Sequence, residues 1–321
     1  MYDVTALGEL LIDFTQVGLS EQKHQIYEQN PGGAPANVLA CLSRLGRSTA
    51  LIAKVGSDEF GRSLKATLET IGIATQGLVI SETCHTTLAF VHLNEQGDRS
   101  FTFYRSPGAD MLLEASELSY NLIDDCQIFH VGSVSMTHEP ARQATFAAIH
   151  YARDQGKLIS FDPNLRLQLW ASTDSAQITI LQTLHLVDIL KVSEEELVFL
   201  TDDTDLSRGA EQLYRQYNLK ILLVTRGENG AMACNQNGII SSPAYQVKTI
   251  DTTGAGDAFC GAFLYQLLET GKLPHDLTEI DLSRFLAFAN AAASLSTTRS
   301  GAMPAMPTLA EIRQCMENPT A

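Results

Sequence analysis

The run Asp251-Thr252-Thr253-Gly254-Ala255-Gly256-Asp257 constrains the fold of this chain more than any other stretch. A strand-like segment, Tyr245-Gln246-Val247-Lys248-Thr249-Ile250, precedes it. The apolar Ala258-Phe259-Cys260-Gly261-Ala262-Phe263-Leu264 after it reads as a buried helix. Gly254 and Gly256 let the backbone approach a ligand closely and adopt angles that other residues avoid. The free N–H groups of the first helical turn, with the positive end of the dipole behind them, then suit phosphate or charge developing on a phosphoryl group. Asp257 stands in that turn, either as a capping carboxylate or as a base that takes a proton from an attacking hydroxyl.

The chain has 321 residues, 45% hydrophobic and 18% charged, enough for one large core with or without a small appended unit. A net charge of −15 disfavours nucleic acid and anionic membranes as partners. It does not prevent phosphate binding, because local backbone dipoles hold an anion even on an acidic protein. Met1-Tyr2-Asp3-Val4-Thr5 lacks the features of a signal peptide, and no apolar stretch reaches the length of a membrane span, so a cytoplasmic protein is expected. The cysteines at 41, 84, 126, 234, 260 and 315 form no C-x-x-C pair and no metal-ligand spacing with histidine, and read as reduced thiols.

Strand patterns at residues 4–12, 49–55, 127–133, 157–161, 187–192 and 221–225 alternate with helical patterns at 35–45, 58–71 and 140–156, from Ser193, and at 285–295. That rhythm marks an α/β layer with a parallel sheet. Asp13 is expected to end the first strand. Residues 14–31 read as polar and irregular, with one short strand candidate at 25–28. Residues 86–93 and 99–105 read as a hairpin with its turn at 94–98. With residues 13–31 it forms either a small separate sheet or an edge of the main one.

Several polar residues stand where such folds place ligands. Gly32 and Gly33 precede a helix whose first turn carries Asn37, which both donates and accepts; a plain turn and helix start is the alternative. Asp162-Pro163-Asn164-Leu165-Arg166 follows a strand, the position at which open α/β sheets bind ligands. Phe101, Phe103 and Tyr104 make either a packed face or an aromatic wall for a sugar, and Arg105 is a candidate for hydroxyls or a substrate carboxylate. Ser193-Glu194-Glu195-Glu196 has the form of a capping box. Arg226-Gly227-Glu228-Asn229-Gly230 is a turn, and Asn290 is the polar exception in an apolar helix. No G-x-G-x-x-G follows the first strand, which sets aside a dinucleotide-dependent oxidoreductase.

The run Asp251-Thr252-Thr253-Gly254-Ala255-Gly256-Asp257-Ala258-Phe259 resembles the C-terminal signature of the ribokinase-like (PfkB-type) carbohydrate kinases. Pro31-Gly32-Gly33-Ala34-Pro35-Ala36-Asn37-Val38 resembles the other, in the order and separation that the family shows. The likeness runs from Gly8 to Pro307. Asp162-Pro163-Asn164-Leu165-Arg166, with Leu169-Trp170 after it, resembles bacterial fructokinases and the related 2-keto-3-deoxygluconate kinases, and Ser193 in place of the broader family's Asn fits the fructokinase-like members.

The resemblance implies a three-layer α/β/α sandwich with a mostly parallel sheet and a small β lid. Residues 1–12, 32–84 and 106–321 would form the core, and 13–31 with 85–105 the lid, which in the family often carries a dimer contact. It implies an ATP-dependent kinase acting on the primary hydroxyl of a monosaccharide, fructose first, giving fructose 6-phosphate. 2-Keto-3-deoxygluconate, ribose and aminoimidazole riboside are alternatives, as is a sensor of sugar or nucleotide on the same fold. Asp257 would be the base, and the N–H groups of Gly254, Ala255 and Gly256 the anion hole. Asp13, Gly32, Gly33, Asn37, Arg105, Asn164 and Arg166 would line the sugar. Lys191, Ser193, Glu196, Thr225, Gly227, Gly230 and Asn290 would line the nucleotide, with Glu196 ordering Mg2+ through water. Asp251, Thr253, Arg299 and Gly301 match a K+ loop, although Ala305 stands where ribokinases often have Ser.

Overall fold

A computed structural model describes residues 1–93 and 99–318; the turn expected at 94–98 lies outside them. The strands are β1 (Tyr2–Leu7), β2 (Leu11–Leu19), β3 (Gln25–Gly32), β4 (Thr49–Gly56), β5 (Ile73–Ser81), β6 (Leu88–Leu93), β7 (Arg99–Tyr104), β8 (Cys126–Gly132), β9 (Leu158–Asp162), β10 (Ile189–Ser193), β11 (Ile221–Thr225), β12 (Ala231–Asn235) and β13 (Gly238–Ser242). The helices are α1 (Ala34–Arg44), α2 (Glu59–Thr70), α3 (Tyr120–Asp124), α4 (Ala141–Asp154), α5 (Thr173–Leu184), α6 (Glu194–Thr201), α7 (Leu206–Gln216), α8 (Ala255–Thr270), α9 (Glu279–Ser296) and α10 (Leu309–Glu317).

A nine-stranded sheet runs β13-β12-β11-β10-β9-β8-β1-β4-β5. Its pairs are parallel from β5 to β11, and β12 and β13 are added antiparallel at one edge. Apolar residues cover both faces. Leu39, Phe263 and Phe285 pack on one, and Phe129, Ile149, Ile180 and Leu213 on the other. Each such buried side chain contributes roughly 1.5–3 kcal/mol. This is the expected three-layer sandwich.

Gly261 decides how close α1 and α8 come. A Cβ there would lie 2.8 Å from Cys41 Cβ and 2.9 Å from the Val38 carbonyl oxygen. Only glycine permits that contact, and it carries the first turn of α1 to the first turn of α8.

The second sheet has four strands in the order β3-β2-β6-β7. Phe14 of β2 stacks on Phe90 of β6 with centroids 4.9 Å apart and meets Phe60 of α2 edge-on at 5.8 Å, which seats the sheet against the larger unit.

Three expectations change. Residues 4–12 are not one strand: β1 ends at Leu7, Gly8 donates to the Ile52 carbonyl, and β2 begins at Leu11, so Asp13 lies within a strand. Residues 14–31 are not irregular but mostly paired, because a sheet with an open face needs few apolar residues. Residues 245–250 form no strand. β13 already holds the sheet edge, and the segment bonds to the end of α9 instead: Tyr245 N–H to Ser294 Oγ at 3.2 Å, and Ile250 and Asp251 N–H to the Thr297 carbonyl at 2.7 and 3.0 Å.

Candidate active site

The first turn of α8 starts at Gly254, which takes the left-handed conformation (φ 78°). A Cβ there would fall 2.7 Å from Ala302 Cβ, so the turn demands glycine twice over. Asp251 ties the turn to the following loop. Its carboxylate accepts the Thr253 N–H at 2.8 Å and the Gly301 N–H at 3.0 Å.

Asp257 is 5% exposed. Asn37 Nδ2 donates to one of its oxygens at 2.8 Å, and Asn164 Nδ2 to the other at 3.1 Å. Burial pushes its pKa up to about 6, helped by the Asp162 charge and opposed by the Asn37 amide, Lys191 and Arg166. A carboxylate so tuned and positioned can take up a proton near neutral pH. Asn164 reaches it from a left-handed backbone conformation (φ 46°), held as its own N–H donates to Asp162 Oδ1 at 3.1 Å.

Lys191 and Asp162 form a buried ion pair at 2.9 Å. The ammonium lies 2.9 Å from where a Cβ on Gly256 would stand, so that glycine keeps the charge next to the helix N-terminus. Burial works against the Lys191 charge, but Asp162 and Glu196 outweigh it and its pKa moves up. Glu196 accepts the Ser193 N–H at 2.8 Å and the Leu165 N–H at 2.7 Å, and Ser193 Oγ accepts the Glu196 N–H at 3.1 Å. The capping box therefore exists, and it also pins the loop after β9. Burial raises the Glu196 pKa, and Lys191 opposes the shift.

Asp257 stands at the wall between two spaces. A pocket of about 80 Å³ is lined by Asp13, Gly33, Asn37, Phe103, Asn164, Arg166 and Asp257, among others. A cleft of about 630 Å³ is lined by Asn164, Arg166, Lys191, Ser193, Glu196, Gly254, Gly256 and Asp257. A further cleft of about 500 Å³ carries Gly227 and Asn290 on its walls. Asp13 faces the small pocket. Its carboxyl is raised to about 7 by burial, with Arg166 opposing and Asp257 and Asp251 adding to the shift. Gly32 lies beside it, and any Cβ at that position would strike the Asp13 carboxylate.

Other expected residues lie elsewhere. Arg105 does not line the pocket. It is 6% exposed, and its guanidinium pairs with Asp110 at 2.7 Å and donates to Thr137 Oγ1 at 2.8 Å and the Val134 carbonyl at 3.2 Å. An arginine buried this deeply needs a carboxylate partner, and Asp110 supplies it within the chain. Thr225 Oγ1 sits 3.4 Å from the Val192 carbonyl, and Gly230 fits beneath Ser242, where a Cβ would collide; neither lines these spaces. The Arg299 side chain pairs with Glu311 of α10, while Gly301 takes part through its backbone. Asn290 lines its cleft with Nδ2 donating to the Ser242 and Pro243 carbonyls at 3.0 Å each. The side chain of Phe101 lies outside the described residues. Gln168, Glu195 and Phe199 on the large cleft and Glu9 on the small one went unforeseen. Only Glu9 carried a signal, as an acid inside an apolar run.

Among the described residues no three His, Cys, Asp or Glu side chains gather to hold a metal, and no helix is long and apolar enough to cross a membrane.

Comparison with known proteins identifies relatives of the chain. The family described as pfkB family carbohydrate kinase matches residues 1–309. The chain is 43% identical to probable fructokinase-5 of Arabidopsis thaliana, over 98% of this chain and 97% of that one. In structure it is similar to the fructokinase of Xylella fastidiosa with bound ATP (TM-score 0.90, 33% identity, 100% of both chains). It is also similar to a fructokinase double mutant of Vibrio cholerae with fructose, ADP and potassium ion (TM-score 0.87, 35% identity, 98% of both chains).

Proposed function

Because this chain belongs to the pfkB family of carbohydrate kinases, we propose that it is an ATP-dependent fructokinase, making fructose 6-phosphate. The observation that carries the reading is the place of Asp257: a buried, hydrogen-bonded carboxylate on the walls of both a small pocket and a larger cleft, at the start of a helix. Fructose fills the small pocket, with Asp13, Asn37, Asn164 and Arg166 around its hydroxyls. ATP lies along the two clefts, its phosphates toward Gly254, Ala255 and Gly256 and its base toward Asn290.

The primary hydroxyl oxygen attacks the γ-phosphorus while its proton passes to Asp257. A P–O bond forms to the sugar, and the P–O bond to ADP breaks. The N–H groups of the α8 start and the Lys191 ammonium stabilise charge on the transferring oxygens. Positioning and electrostatics carry most of the rate, as phosphoryl transfer requires. Closure of the four-stranded sheet over the pocket, as a lid built from 13–31 and 85–105, would exclude water.

Magnesium fits a site that has buried carboxylates but, among the described residues, no all-protein metal cage, since it keeps water and phosphate ligands; it would offset phosphate charge. Glu196 would hold it through water. Potassium would sit by the loop of Arg299 and Gly301 that Asp251 braces, beside Thr253, and the potassium-bound Vibrio cholerae relative supports this. Exposed Val17, Leu19, Ile26 and Tyr104 on the second sheet support pairing of two chains there. The Arg105–Asp110 pair argues against a sugar acid held by Arg105.

The test is ADP release from MgATP with fructose, ribose, glucose, 2-keto-3-deoxygluconate and aminoimidazole riboside, each with and without potassium. Fructose should be turned over fastest. ATP binding with no turnover of any sugar would make the protein a sensor instead.

A further inference from the structure

Glu9 lies between β1 and β2, 4% exposed, on the wall of the small pocket. Its Oε1 accepts the Ala34 N–H at 2.9 Å. Ala34 opens α1, and no side chain from its own cap position, Gly33, satisfies that turn. A carboxylate from another segment thus caps α1, where orphan N–H groups and the helix dipole both favour it. The fit around it is close. A Cβ on Gly33 would collide with the Glu9 carbonyl, and one on Gly8 would fall 2.5 Å from Pro35 Cγ. The β1–β2 junction therefore interlocks with the start of α1. One turn along α1, Asn37 donates to Asp257. Among the described residues Glu9 Oε2 and Asn37 Oδ1 are both buried without a hydrogen-bond partner, and the Glu9 side chain bonds beyond its own residue to Ala34.

We propose that Glu9 is a positioning residue for phosphoryl transfer: by clamping the first turn of α1 it holds the Asn37 amide against the base Asp257. The proposal rests on the kinase reading above. Burial raises the Glu9 carboxyl to about 7, with its own and the Ala34 N–H opposing, Asp110 adding and Arg105 opposing, yet Oε1 accepts the Ala34 N–H whether or not Oε2 carries a proton. The clamp therefore survives neutralisation.

The test compares Glu9→Ala and Glu9→Gln with the wild-type enzyme. Glutamine keeps the acceptor oxygen; alanine removes it. Two quantities are read: kcat and KM for fructose, and the titration of the Asp257 carboxyl by carbon-13 NMR in the free enzyme. Asp162, Lys191 and Arg166 also face that carboxyl, and all three stay in place. Loss of the Asn37 hydrogen bond removes a contact that favours the charged form, so the Asp257 titration should move to higher pH in Glu9→Ala. Its kcat should fall roughly 10- to 100-fold, the scale of a small misplacement of a catalytic group. Glu9→Gln should recover most of both. Glu9→Ala with unchanged kcat and unchanged Asp257 titration would overturn the proposal. So would a rise in fructose KM alone, which would make Glu9 a sugar contact. If alanine does not fold, Glu9→Asp, one methylene too short to reach Ala34, is judged by the same two readouts. If the wild type phosphorylates none of the sugars, the kinase reading fails while the NMR titration still decides whether Glu9 holds Asn37 against Asp257.

Discussion

Asn37 and Asp257 stand 220 positions apart in the chain and meet through a 2.8 Å hydrogen bond. Each occupies the first turn of a helix, so two helix starts converge on one carboxylate. That convergence places a buried carboxylate in the first turn of α8, and it rests on the close packing of α1 on α8.

Replacing Asp257 with Asn should lower kcat by ~10²–10⁴-fold, the usual range for a removed general base, with little change in KM for ATP. Steady-state kinetics, with circular dichroism to confirm the fold, check it. A kcat near wild type would remove Asp257 from the role of base.

The pH profile should follow the same group. The folded-state pKa of about 6 lies above the ordinary 3.8, so the base is lost as pH falls through about 6. kcat/KM for the sugar should therefore rise across pH 6. Asp162 raises this pKa and Lys191 lowers it. Asp162→Asn should move the acid limb to lower pH and Lys191→Met to higher pH. Limbs that do not move, or move together, would contradict the electrostatic account.

Gly261→Ala should destabilise the protein by about 1–3 kcal/mol, the cost of overpacking a filled core, because Val38 and Cys41 leave no room for a methyl. Urea denaturation measures it. The variant should also lose kcat, since separating α1 from α8 draws Asn37 from Asp257.

Arg105→Gln should act on stability and leave sugar KM nearly unchanged. It strands Asp110 without its charge partner, a loss of roughly 3–5 kcal/mol for a broken buried pair. A large rise in sugar KM in a protein of normal stability would return Arg105 to the substrate site.

Much of the site was legible because its chemistry is local. Gly254, Gly256 and Asp257 occupy consecutive positions of one helix start, and Asn37 and Gly33 another, so spacing alone suggests an anion site beside a base. What was hidden depends on which way a side chain turns and what folds against it. Asp110 stands only five residues from Arg105, yet that spacing does not say whether the guanidinium faces it or a ligand, and Glu9 gains meaning only when Ala34 folds against it. Residues 14–31 misled because one face of their sheet meets solvent, so Gln16 and Glu28 alternate with few apolar partners. Residues 245–250 have a strand's composition but no strand to pair with.

The base arrives late. Asn37 and Asn164 leave the ribosome long before residue 257, and α8 cannot dock on α1 until most of the chain has been made. Contacts this distant in sequence also form slowly once the chain is free. A chain that stops short of residue 257 therefore holds Asn37 and Asn164, the two amides that hold the carboxylate, without the carboxylate that both bond.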